Sequence, residues 1–119
     1  MLNFKQLVLI TLIAGSAGCS TTGNILPTKD SASGFEGAVY GGETVEYGKL
    51  TPGATEYRLF NQGATGFVSV EANRVEAESR ATQFCKDAGK QYRLLQQTTS
   101  KPPHILGNYP RVEIIFECR

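Results

Sequence analysis

Two short patterns in the last third of the chain constrain the fold most, because each places a cysteine on an apolar face. Ala77, Ala81, Phe84, Cys85 and Ala88 recur at i, i+4, i+7, i+8 and i+11, which is one stripe of an amphipathic α-helix. Glu76, Arg80, Gln83 and Asp87 form its polar side, with Glu76 and Arg80 at a favourable i,i+4 spacing. Asn73 followed by Glu76 reads as a capping box at the helix start, and Gly89 as its left-handed terminator. Arg111–Cys118 (RVEIIFEC) alternates instead: Val112, Ile114, Phe116 and Cys118 share one face of a strand, while Glu113, Glu117 and Arg119 point the other way into solvent, with Ile115 the exception. If the two apolar faces meet, Cys85 and Cys118 come within bonding reach. The alternative is two unpaired buried thiols behaving as small hydrophobes.

Gln91–Thr98 (QYRLLQQT) reads as a further strand, and it most simply forms an antiparallel hairpin with Arg111–Cys118 across a long loop. Phe67–Val70 (FVSV) is a short strand or a lead-in to the helix. Upstream, Gly34–Gly66 holds eight of the 13 glycines, interleaved with Phe35, Tyr40, Tyr47, Tyr57 and Phe60. Short strands are expected there at Thr44–Tyr47 and Glu56–Phe60, with Gly41-Gly42 and Pro52-Gly53 as turns. Such a stretch can bind glycan or a partner strand; the simpler expectation is a set of turns whose aromatics pack on the core. The fold class is α+β: one helix on a small antiparallel sheet, in the order β–α–β–β after a glycine-rich front, with helix and last strand joined by the cysteines.

The 119 residues suit one domain, but the front of the chain is not part of it. Met1–Gln6 carries one charge, Lys5; Leu7–Ala14 (LVLITLIA) is apolar apart from Thr11; Gly15–Gly18 are all small. A run of about eight apolar residues is too short for a bilayer, which takes roughly 20, and reads as a secretory signal over residues 1–18. A buried N-terminal element is the alternative. Lys+Arg number 12 against 11 Asp+Glu, and Lys5 belongs to the leader, so the remainder is balanced. A neutral chain lacks the electrostatic footprint of a nucleic-acid binder.

Three cysteines are an awkward count for an exported chain. Ser16-Ala17-Gly18-Cys19 resembles the lipobox of bacterial lipoproteins, with Ser16 where that family usually has Leu. The resemblance implies a diacylglycerol on the Cys19 sulfur, cleavage before it, and acylation of the new amino terminus. Ordinary cleavage nearby with a free Cys19 is the other reading. Ser20 after the cysteine is similar to an outer-membrane address, placing the domain at the inner leaflet facing the periplasm. Ser20–Ser33 (STTGNILPTKDSAS) reads as a flexible tether spanning roughly 20 Å, so residues 19–33 are lipidated cysteine and tether, and 34–119 the domain. The pattern EAESRATQFCKDAGK followed by VEIIFECR resembles small proteobacterial envelope lipoproteins of unknown function, on Ala77, Ala81, Cys85, Gly89, Lys90, Phe116 and Cys118, with TEYRLF before the helix also fitting. It covers roughly residues 55–119 and implies the fold and the disulfide rather than an activity.

Signals for chemistry are sparse. His104 is the single histidine, and a metal site takes three or four convergent ligands; CxxC spacing, phosphate loops and nucleophile elbows do not occur. The expectation is therefore a non-enzyme without metal or cofactor beyond the lipid on Cys19. Its partners would be the membrane, through that lipid, and another envelope protein. The most suggestive segment is Lys101–Tyr109 (KPPHILGNY). Pro102-Pro103 favours an extended polyproline-like backbone, and Ile105, Leu106 and Tyr109 are apolar residues on a loop that should be exposed. Pro103, His104, Ile105, Leu106 and Tyr109 are thus candidate contacts for a partner, unless Ile105 and Leu106 fold back to cap the core. A periplasmic ligand- or peptidoglycan-binding module using the Tyr/Gly front is the second functional class.

Overall fold

The computed structural model describes residues 20–63 and 68–119, with side chains from residue 23 onward. The expected signal segment, Cys19 and Phe67 lie outside the described residues. Six strands form one antiparallel sheet: β1 (Ser20–Thr22), β2 (Leu26–Pro27), β3 (Gly42–Glu46), β4 (Tyr57–Gly63), β5 (Tyr92–Ser100) and β6 (Arg111–Cys118). The order is β1-β4-β6-β5-β3, and β2 continues the β1 edge along β4. Among the described residues the one α-helix, α1 (Val70–Asp87), joins β4 to β5 and packs on one face. The protein is α+β, with β6 at the centre.

The core forms as the periodicities dictate. Leu59 of β4 and Val112, Ile114 and Phe116 of β6 meet Ala77, Ala81 and Cys85 of α1, all fully buried. The alanines let the helix lie close to the sheet. Phe84 then reaches over Tyr57 (ring centroids 4.9 Å) and Tyr92 lies tilted against Phe116 (5.5 Å). Cys85 and Cys118 are joined by a disulfide, with Cα atoms 5.2 Å apart, so the helix and the last strand are covalently pinned. Gly89 takes φ +74° as the left-handed residue after the helix. The Lys90 amide reaches the Cys85 carbonyl and the Gly89 amide the Lys86 carbonyl, both at 2.9 Å, a Schellman ending.

The strand before the helix is Tyr57–Gly63, and of the two readings of Phe67–Val70 its described residues follow the lead-in, with Ser69 as N-cap and Val70 as the first helical residue. Three expectations are corrected. The cap is Ser69, whose Oγ accepts from the Ala72 amide at 3.0 Å, and Asn73 lies buried inside the helix. An earlier start places the Asn73 amide group on the Ser69 and Pro110 carbonyls at 2.9 and 3.3 Å. Ser20–Ser33 is laid along the sheet rather than hanging free. Ser20 registers with Gly63 and Leu26 with Arg58, and between them the Gly23 amide bonds the Phe60 carbonyl at 2.9 Å. Lastly, Glu113 and Glu117 are buried, not solvated.

Those two glutamates explain how the glycine-rich front becomes structure. Glu113 accepts from Ser33 Oγ (2.9 Å), the Gly34 amide (2.6 Å) and Arg58 Nη1 (3.2 Å). Glu117 accepts from the Thr51 amide (3.0 Å), Thr51 Oγ1 (2.9 Å) and Arg93 Nη1 (2.6 Å). Each carboxylate fastens one irregular segment to the sheet face opposite the helix, and charge-assisted bonds of this kind offset the cost of burial. Gly34 must come close to do this: a Cβ there would lie 2.2 Å from the Phe60 ring. Gly34→Ala is therefore expected to push that ring off its edge contact with Phe35 (centroids 5.8 Å) and cost about 1–3 kcal/mol, read as a lower urea midpoint with an unchanged slope.

Candidate functional site

The registers bring the ends of five strands, β1, β4, β6, β5 and β3, to one end of the sheet. Ser20 pairs with Gly63, Gln62 with Arg111, Thr99 with Val112, and Gly42 with Ser100. From this end project the loop 101–110, which links β5 to β6, and the turn leading into β3. The disulfide lies at the opposite end, where Tyr92 registers with Cys118.

Loop and turn are locked together by one buried cation. Arg111 Nη1 donates to Asn108 Oδ1 and to the Tyr109 carbonyl, both at 2.9 Å, and Nη2 donates to the Tyr40 carbonyl at 2.6 Å. Its guanidinium carbon sits 4.8 Å from the Phe35 ring centroid, a cation–π contact. Burial lowers the Arg111 pKa from its ordinary value, but arginine stays charged in proteins. Asn108, also buried, donates to the Lys101 and Pro103 carbonyls at 2.9 and 2.8 Å. Tyr40 donates its hydroxyl to the Leu106 carbonyl at 3.3 Å. The loop is thus a built scaffold.

On that scaffold the apolar side chains face outward. Leu106 is 85% exposed, Ile105 58% and Val39 91%; Tyr40, Tyr109 and Pro103 are exposed too. Ile105 and Leu106 therefore do not cap the core. With Lys101 and Pro102 they border a groove of ≈ 360 Å³. The Pro102–Pro103 bond is cis. His104 is partly buried, with Nε2 2.9 Å from Ser100 Oγ. That hydroxyl is itself buried and accepts the Arg111 amide at 3.0 Å, so the pair ties the base of the loop to the first residue of β6. Among the described residues no group of three or more His, Cys, Asp or Glu converges as metal ligands, and no helix is long and apolar enough to cross a membrane.

Sequence reasoning placed Pro103, His104, Ile105, Leu106 and Tyr109 on this loop, and the structure gathers them at one strand end. It did not join to them Val39 or Tyr40, the latter 66 residues before Leu106 and read only as part of the Tyr/Gly front, nor the Arg111–Asn108 node that ties the two segments together. The available signal was face parity: Arg111 shares its side of β6 with Glu113 and Glu117, so a covering layer over one implied a covering layer over all three. The Tyr/Gly front spends Phe35 and Phe60 on each other and Tyr57 on the helix face, which leaves Tyr40 and Tyr47 as its exposed tyrosines. The chain matches no protein-family model, no curated protein and no solved structure.

Proposed function

We propose that the protein is a lipid-anchored, non-catalytic binding module of the bacterial cell envelope, held at the outer membrane and facing the periplasm. The observation that carries the binding role is the apolar group Val39, Ile105, Leu106 and Tyr109, exposed on a loop that Arg111 and Asn108 hold rigid. A monomer with no contact to make gains nothing from fixing apolar tips in water. Export is supported by the Cys85–Cys118 bond, because such bonds persist in oxidising compartments. Anchoring rests on the lipobox-like Ser16–Cys19, with Cys19 then the odd cysteine that takes lipid and not a disulfide.

Metabolic labelling with palmitate tests the anchor. The full chain is expected to take up label and the Cys19→Ser variant none. A wild-type chain that stays unlabelled while being exported overturns the reading.

A further inference from the structure

Ser20, the residue that follows Cys19 in the chain, and the exposed loop belong to the same end of the sheet. Cys19 immediately precedes Ser20, and Ser20 is already paired with Gly63 in the sheet. The Gly63 amide in turn bonds the Pro110 carbonyl at 3.0 Å, next to Tyr109. The point where the chain leaves the described fold is therefore two strand spacings, about 10 Å, from the base of the loop. We propose that this end of the sheet rests on the bilayer, with Leu106, Ile105 and Val39 dipping among the lipids and Tyr40 and Tyr109 at the headgroup level. The proposal rests on lipidation of Cys19.

Three observations favour lipid over a protein occupant. First, there is no slack. A free 14-residue tether would let the domain stand off by roughly 20 Å, but with β1 docked the acyl chains emerge directly from the sheet edge and bring this end to the membrane. Second, the composition suits an interface: aliphatic tips, two tyrosines whose rings are at home at the headgroup boundary, and Lys101 at the groove rim, able to extend its ammonium toward phosphate. Third, Leu106 occupies φ +54°, a left-handed conformation that glycine or asparagine takes with less strain. A leucine kept there, almost fully in water, is explained by what its side chain touches. The contact orients the domain, which directs the helix C-terminal end and the disulfide away from the membrane.

The chain contains no tryptophan, so Leu106→Trp introduces a unique probe at a largely exposed position outside the core. Lys90→Trp places the control at the far end. Each full-length lipoprotein is extracted, its acyl mass verified, and reconstituted into phosphatidylethanolamine–phosphatidylglycerol vesicles with or without brominated acyl chains. The Leu106→Trp emission is expected to shift to the blue and to be quenched several-fold by bromine, and the Lys90→Trp emission to do neither. Emission from an acylated Leu106→Trp protein that bromine leaves unchanged overturns the proposal and leaves the anchor standing. If that emission is nevertheless blue-shifted, the patch meets a second copy of the chain. A protein lacking the acyl mass overturns both, and is recognised by its mass.

Discussion

Replacing Cys85 and Cys118 together by alanine is expected to lower the unfolding free energy by about 3–4 kcal/mol. The bond closes a segment of 33 residues, and fixing the ends of such a loop removes that much conformational freedom from the unfolded chain. Its placement sharpens the effect. Cys85 is in the last buried position of α1 and Cys118 ends β6, so the bond ties α1 to the central strand at the end away from the exposed loop. A domain of this size holds about 5–15 kcal/mol in total, so the loss is a large fraction. Urea titration of oxidised wild type, reduced wild type and the double variant checks it: the last two should coincide at a lower midpoint. A shift equivalent to under about 1 kcal/mol would mean that the helix–sheet interface is self-sufficient.

The second large effect is at Glu117, where Glu117→Gln is expected to cost about 2–4 kcal/mol. The carboxylate is fully buried and both oxygens accept: one takes the Thr51 amide, the other Thr51 Oγ1 and Arg93 Nη1. The amide variant keeps the shape but turns one acceptor into a donor facing donors. The same site gives a pH signature. Burial by itself would raise the Glu117 pKa; the bonds from Thr51 and Arg93 together outweigh it and hold the carboxyl below its ordinary value. With the folded pKa depressed, its contribution is complete above the unfolded pKa of about 4.3 and fades as pH falls from there through the folded pKa. Stability measured from pH 7 to pH 3 should therefore show the gap between wild type and Glu117→Gln constant down to about pH 5 and narrowing below it. A gap that widened on acidification would reverse the assignment.

The parts of the fold that were legible in the sequence are those where one periodicity runs for several turns or several strand residues. The α1 stripe and the β6 alternation each identify a core face, and the two faces meeting is what puts Cys85 against Cys118. The parts that were not legible depend on partners remote in sequence. Glu113 and Glu117 alternate as a solvated face would; only Ser33, Gly34 and Thr51, drawn from 60 to 80 residues away, convert that face into an interior. Ser20–Ser33 is polar enough to be a tether, yet it docks by backbone pairing, to which side-chain composition is nearly blind. Likewise Asn73 is as good a helix cap as Ser69 in isolation, and the choice is made by the Pro110 carbonyl. In the candidate site, the apolar loop residues were readable one by one. Their rigidity was not, because it comes from Arg111 reaching back to Tyr40.

Intact mass of the full chain extracted from membranes, before and after reduction, bears most directly on a domain anchored at Cys19 and pinned between Cys85 and Cys118. The expected species begins at Cys19, carries the mass of a diacylglycerol and an N-acyl chain, and gains two hydrogens on reduction. A chain without acyl mass and with three free thiols would contradict the anchor and the covalent pin together.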